Sequence, residues 1–165
     1  MLLTAQPLSS ERLELEPLRV EHAHEMVAVL AATALYEFMG GDPPTEAELV
    51  ARYVRQTRRP GWLNWVLRLR ATGEAIGTVQ ATQKDERTAE VAWVVSPSFQ
   101  GAGYATEAAA AAIDWLETEG IEVFAAYIHP DHIASNKVAE RLGFVPTESI
   151  RDGETGWKRE SPCQT

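Results

Sequence analysis

The stretch that decides the fold is Val91-Ala92-Trp93-Val94-Val95-Ser96-Pro97-Ser98-Phe99-Gln100-Gly101-Ala102-Gly103-Tyr104-Ala105-Thr106-Glu107-Ala108. An apolar run reaches a turn carrying two glycines and passes into an alanine-rich segment. A strand that feeds a glycine turn and then a helix leaves several main-chain N–H groups unpaired and converging. Such a turn holds phosphate oxygens without any cationic side chain. Gly101 and Gly103 have no Cβ, so an anion can come close to the backbone. A pyrophosphate-bearing cofactor is therefore expected here.

Upstream of this stretch, strand-like segments at 62–69, 75–82 and 89–95 are separated by Thr72-Gly73-Glu74 and Lys84-Asp85-Glu86-Arg87, which predicts an antiparallel meander. Downstream, 103–119 reads as a helix with Ala105, Ala108, Ala109, Ala112 and Leu116 on one face, stopped by Gly120. A strand at 122–128 should pair in parallel beside the one ending at Val95, because a helix intervenes. Another helix ends near Arg141-Leu142 with Gly143 as its cap. Strands at 144–151 and 155–160 flank the hairpin signal Asp152-Gly153. At the start, 12–18 alternates as a strand, and 21–38 carries Met26, Val27, Leu30 and Ala31 at helical spacing. Thr45 and Glu48 form a capping box that opens a helix running to about Arg58. The order is β-α-α-β-β-β-α-β-α-β-β. It makes an α/β (α+β) fold in one domain over 1–165, with a core of about 9–160 and a loose tail at 161–165.

The chain has 165 residues, 45% of them apolar, which suits one hydrophobic core. Its formal net charge of −9 argues against nucleic acid and against anionic membrane surfaces. An amine or other cationic substrate fits better. Cys163 is the lone cysteine, so no internal disulfide and no thiolate metal site is expected. His22, His24 and His129 lack metal-ligand spacing, and no metal is expected. No apolar run approaches the ~20 residues of a membrane span, and the first residues lack the features of a signal peptide. A cytoplasmic location is the expectation. The tryptophans at 62, 65 and 93 read as core residues, and Arg52, Arg55, Arg58 and Arg59 as a solvated basic face.

The element order, with Gln100-Gly101-Ala102-Gly103-Tyr104-Ala105 between the fourth strand and third helix, resembles the GCN5-related N-acetyltransferases. Gln100, Gly103 and Ala105 meet that family's Gln/Arg-x-x-Gly-x-Gly/Ala pattern. The segments 89–97, 104–108 and Ala134-Ser135-Asn136-Lys137-Val138-Ala139-Glu140-Arg141-Leu142-Gly143-Phe144 are similar to the branch that acetylates ribosomal-protein N-termini, the RimJ/RimL-like enzymes. The resemblance implies a mixed, mostly antiparallel sheet of six to seven strands with about four helices. The fourth and fifth strands splay apart at a bulge. It also implies acetyl-coenzyme A as cofactor. Its pyrophosphate would sit on Gln100, Gly101, Ala102, Gly103, Tyr104, Ala105 and Thr106, and its pantetheine arm beside the N–H of Val94 or Val95. Glu90 matches the position of a catalytic base, and Ser135 that of the branch's acid. The tyrosine acid of other members is absent, since Ala139 stands there. His132 replaces an asparagine that bonds the pantetheine arm, and Asn136 can share that role. Tyr36 and Phe38 border the acceptor groove, where a protein N-terminus or a small-molecule amine would bind. A monomer or homodimer is implied.

Two other readings compete. In a dinucleotide oxidoreductase the motif would not follow a meander, and Thr106 stands where a third glycine belongs. A non-catalytic coenzyme A sensor or interaction module keeps the fold without the chemistry.

Overall fold

The computed structural model describes residues 1–162; of the expected tail, Ser161 is tied by its N–H to the Glu122 carbonyl at 2.7 Å, and 163–165, with Cys163, lie outside the described residues. The elements are β1 (Leu8–Ser9), β2 (Leu13–Pro17), α1 (His22–Val29), a 3-10 turn (Thr33–Tyr36), α2 (Glu46–Arg58), β3 (Trp62–Leu69), β4 (Ala75–Gln83) and β5 (Thr88–Val95). A second 3-10 turn (Pro97–Phe99) leads to α3 (Tyr104–Thr118), followed by β6 (Val123–Ile128), α4 (Ile133–Arg141), β7 (Val145–Arg151) and β8 (Glu154–Glu160). The strands form one sheet in the order β1-β2-β3-β4-β5-β6-β8-β7. The meander β3-β4-β5 is antiparallel, and β6 lies parallel to β5, as the intervening helix requires.

Side chains alternate across the pleat and so divide into two cores. Ala89, Val91 and Val95 of β5 face α3 and α4 together with Trp65, Leu67, Val79 and Phe124. From α3, Ala108, Ala109, Ala112, Ile113 and Leu116 are buried there, so the small residues let the helix lie close to the sheet. Full burial of Ile113 or Leu116 contributes about 1.5–3 kcal/mol each. The opposite face carries Val66 and Ala75 against Ala23, Met26 and Leu30 of the α1 region and Leu49 and Tyr53 of α2. The capping box at α2 is present: Glu48 N–H donates to Thr45 Oγ1 at 3.2 Å and Thr45 N–H to Glu48 Oε1 at 3.1 Å. Asp152 and Gly153 both adopt positive φ, which closes the β7–β8 hairpin.

Three expectations are corrected. The helix foreseen over 21–38 ends at Val29. Leu30 is buried beside Met26, Ala32 swings out to φ −70° and ψ 124°, and the hydroxyl of Tyr36 donates to the Leu30 carbonyl at 2.9 Å. The freed carbonyl is thus satisfied by a side chain six residues on, a tertiary stop that helical spacing does not announce. The sheet has eight strands, because Leu8 and Ser9 fold back onto Leu15 and Glu14 of β2. The bulge expected between the splayed strands is absent from the β4–β5 register, which runs unshifted from Gly77↔Val95 to Gln83↔Ala89.

Candidate functional site

The splay itself is present. β5 and β6 pair only from Thr88↔Val123 to Glu90↔Ala125. Beyond that point β5 stays with β4 as far as Val95, and β6 stays with β8 as far as Ile128. The two strands therefore carry facing edges that no other described strand covers. Hydrogen-bonding direction alternates along a strand. Ser96 N–H donates to Ile76 O at 2.8 Å, so Ser96, Val94 and Ala92 turn their main chain toward β4. Trp93 and Val95 turn theirs into the opening. Of the two valines proposed from sequence, Val95 lies on the open edge. Val94 instead comes so close to β4 that a Cβ on Gly77 would stand 2.1 Å from its carbonyl oxygen. A glycine is required at 77 for this approach, a requirement that no sequence motif signalled.

At the end of β5 the chain turns through Gln100, whose side-chain amide donates to the Val95 carbonyl at 2.9 Å and fixes the start of the turn. Gly101 and Gly103 take φ +81° and +85°, values that favour glycine. The first helical bond runs from Glu107 N–H to Gly103 O at 3.0 Å. Among the described residues, no main-chain N–H from Gly101 to Thr106 has a protein acceptor. The hydroxyl of Thr106 is buried and also lacks a partner. A Cβ built on Gly101 would meet nothing within 4 Å, so nothing crowds the turn at that point. Unpaired donors at a helix N-terminus, positive in its dipole, around a backbone cradle fit a diphosphate.

The turn is braced from the side. Glu107 in the first turn of α3 accepts from Ser10 Oγ at 2.5 Å, from Arg12 N–H at 2.8 Å and from Arg12 Nε at 2.7 Å. Burial works to raise the Glu107 pKa, but these bonds outweigh it and hold the carboxyl below its ordinary value. The sequence reading missed Ser10, Arg12 and Glu107. Ser10 and Arg12 lie far from Glu107 in the chain, and only the tertiary fold joins them to it.

The other end of the opening is built from α4, the chain before α2 and the β7–β8 hairpin. His132 is the N-cap of α4: its Nδ1 accepts from Ser135 N–H at 3.4 Å, and its Nε2 lies 3.2 Å from Ser135 Oγ. Phe38 stacks on His132 with ring centroids 4.9 Å apart and is tilted on His129 at the same distance. The structure thus brings Phe38, His132 and Ser135 together. Burial lowers the His132 pKa, and His129 adds to that against the pull of its own backbone and of Glu37. Asn136 donates to the Pro130 carbonyl at 3.0 Å, which holds the loop ahead of α4. Tyr36 is spent on Leu30.

Glu90 occupies the last paired register of β5, at the crotch of the splay. It is not a free carboxylate. Arg151 from β7 binds it through both terminal nitrogens, and Lys84 Nζ lies 3.3 Å from its Oε2. The same guanidinium rests 3.7 Å above the Tyr127 ring. Burial raises the Glu90 pKa, but the bond and charge of Arg151, with Lys84, more than offset it and bring it below the ordinary value. Among the described residues, no hydrogen bond or ion pair joins Glu90 to Ser135, and the two belong to separate clusters.

Among the described residues, no helix is long and apolar enough to cross a membrane. No curated protein resembles the chain in sequence at a significant level. Solved structures resemble it in fold. A GNAT-family acetyltransferase from Bacillus anthracis superposes with TM-score 0.81 at 17% identity, covering 94% of this chain and 98% of that one. RimL, the ribosomal L7/L12 α-N-protein acetyltransferase in complex with coenzyme A, gives 0.80 at 19% identity over 94% and 98%. The self-immunity acetyltransferase MccE, in complex with acetyl-CoA and AMP, gives 0.79 at 17% identity over 92% and 93%. The sequence model of the acetyltransferase (GNAT) domain matches residues 12–145. A splayed sheet, an open glycine turn and that match agree: the chain belongs to the GNAT acetyltransferases, enzymes that use acetyl-CoA.

Proposed function

We propose that this enzyme acetylates a primary amine, a protein N-terminus or a small-molecule amine, by direct attack while donor and acceptor are bound together, and that it is similar in this to the RimJ/RimL-like branch. The observation that carries the reading is the run of N–H groups from Gly101 to Thr106 without protein acceptors, opening beside the uncovered edge of β5. Gln100, Gly101, Ala102, Gly103, Tyr104, Ala105 and Thr106 form the diphosphate cradle, with Val95 N–H available on the edge. Acetyl-CoA supplies an acetyl thioester, whose carbonyl an amine attacks.

The acceptor enters between Phe38 and the β7–β8 hairpin. Phe38 supplies an apolar wall held by His129 and His132, and Tyr36, in the 3-10 turn just before it, is anchored on the Leu30 carbonyl. The Val95 N–H donates where charge grows on a carbonyl oxygen. Ser135 donates its hydroxyl hydrogen to the departing sulfur, and His132 orients it. His132 accepts a main-chain N–H at Nδ1, so its neutral ring carries the proton on Nε2, toward Ser135 Oγ. Asn136 fixes the loop that presents this pair.

Glu90 is ionised throughout the neutral range, since its pKa lies below the ordinary carboxylate value. It takes up the amine's proton through water, as a weak base. The bond balance is simple. A C–N bond forms and the C–S pair goes to sulfur; of the two protons the ammonium gives up, one leaves through water and the second reaches the thiolate by way of Ser135, which regains its own hydrogen.

The test is coenzyme A release from acetyl-CoA across α-amino peptides, lysine peptides, polyamines and aminoglycosides. Turnover with one class supports the proposal. Coenzyme A binding without turnover on any amine contradicts it.

A further inference from the structure

We infer that Arg12 is a diphosphate ligand of the cofactor, held ready for it by Glu107; this rests on reading Gly101–Thr106 as the phosphate cradle. Arg12 stands just before β2, and Glu107 lies in the first turn of α3. The carboxylate accepts from Ser10 Oγ, Arg12 N–H and Arg12 Nε, all within 2.8 Å. Those bonds fix the guanidinium at its Nε corner. Its plane lies over the Tyr104 ring, 4.2 Å from the centroid. Its Nη2 lies 3.4 Å from the place a Cβ on Gly103 would take, so it borders the turn itself. Among the described residues, neither Nη of Arg12 has a protein acceptor. Two donors of a fixed, charged fork are thus left over beside the unpaired N–H groups.

Electrostatics requires a cation at this point. Glu107 is charged, and alone it would oppose a diphosphate bound at the same helix terminus. Arg12 cancels that charge and keeps donors free, in the geometry that suits phosphate oxygens. Lysine would supply the charge but neither the Nε anchor nor the fork. The glycine turn is therefore only part of the site, and the remainder comes from the opposite end of the chain.

The test is calorimetric titration of coenzyme A and of 3′-dephospho-coenzyme A into the full-length protein and its Arg12→Ala, Arg12→Gln and Arg12→Lys variants, with thermal melts to confirm folding. Arg12→Ala should lose about tenfold or more in affinity, the scale of one charge-assisted hydrogen bond. Arg12→Gln retains a donor for Glu107 but no charge, and should lose as much. Arg12→Lys should fall between. The loss should be equal for both ligands, because both carry the diphosphate. Unchanged affinity in a folded Arg12→Gln overturns the inference, as does a loss confined to coenzyme A, which would place Arg12 at the ribose phosphate. Wild-type protein that binds neither ligand overturns the cradle itself, and that result is separate from any difference among variants.

Discussion

The glycine turn proposed to hold phosphate and the mouth proposed to admit the acceptor treat their polar groups in opposite ways. From Gly101 to Thr106 the N–H groups are left without protein partners, and the surrounding side chains, Gln100 and Glu107, brace the backbone. Around Glu90 and Ser135 nearly every polar group is engaged: Glu90 by Arg151 and Lys84, Ser135 by His132, Asn136 by Pro130, Tyr36 by Leu30. A site made of main-chain donors is specified by where glycine and the helix start stand in the sequence. A site made of side chains from distant elements is specified by tertiary contacts. In the proposed function the first binds a constant chemical group, and the second a partner that can vary within one fold.

The sharpest way to break this contrast is at Gly103. Its φ of +85° disfavours any side chain, and a β-branched one most. Gly103→Val should cut coenzyme A affinity by roughly 100-fold, since both the backbone geometry and the cradle are lost. Calorimetry that shows unchanged affinity would mean the turn is not the anion site. Gly77→Ala attacks the frame between the two regions. Its Cβ would meet the Val94 carbonyl oxygen, so β4 and β5 must part, at about 1–3 kcal/mol of overpacking strain. The melting temperature should fall by several degrees, and an unshifted melt would deny that close approach.

On the mouth side, Ser135→Ala should lower kcat by about tenfold, the scale of a hydrogen bond to a charged atom, with coenzyme A affinity little changed. An equal kcat would remove the hydroxyl from the reaction. Phe38→Ala should raise KM for the amine severalfold while leaving coenzyme A binding intact. A selective loss of coenzyme A affinity would put Phe38 on the donor side.

The smallest expected effect concerns pH. Glu90 is already ionised above the ordinary carboxylate range, so Glu90→Gln should scale the rate by one factor between pH 6 and 9, and the slope there should follow the acceptor amine. A variant that selectively flattens an acid limb near neutrality would show that Glu90 titrates there, against its lowered pKa. For stability the clearest group is Glu16, held at about 2 by its bond to Arg68, with His22 helping against burial. Its folded pKa is depressed, so its contribution is present above about 4.5 and is lost as pH falls toward about 2. Melts of wild type and Glu16→Gln should converge over that window.

The contrast also explains what was legible in the sequence. The meander, the parallel crossover, the alanine-faced helix and the capping box follow from local periodicity and turn residues, and each is in the fold. The open turn follows from Gly101 and Gly103 at a strand–helix junction. Leu8–Ser9 was missed because two residues carry no period. The break after Val29 was missed because its stop is Tyr36, not a glycine. Arg12 and Glu107, Phe38 and His132, and Glu90 and Arg151 are each pairs from remote segments, and no spacing in one sequence announces them.

The central claim is that the main-chain amides of Gly101 to Thr106 receive the cofactor's phosphates. Amide NMR of the labelled protein during titration with coenzyme A tests it most directly. These resonances should move together downfield and exchange more slowly with solvent once the ligand is bound. Saturating coenzyme A that shifts other residues and leaves this group unmoved would contradict the account.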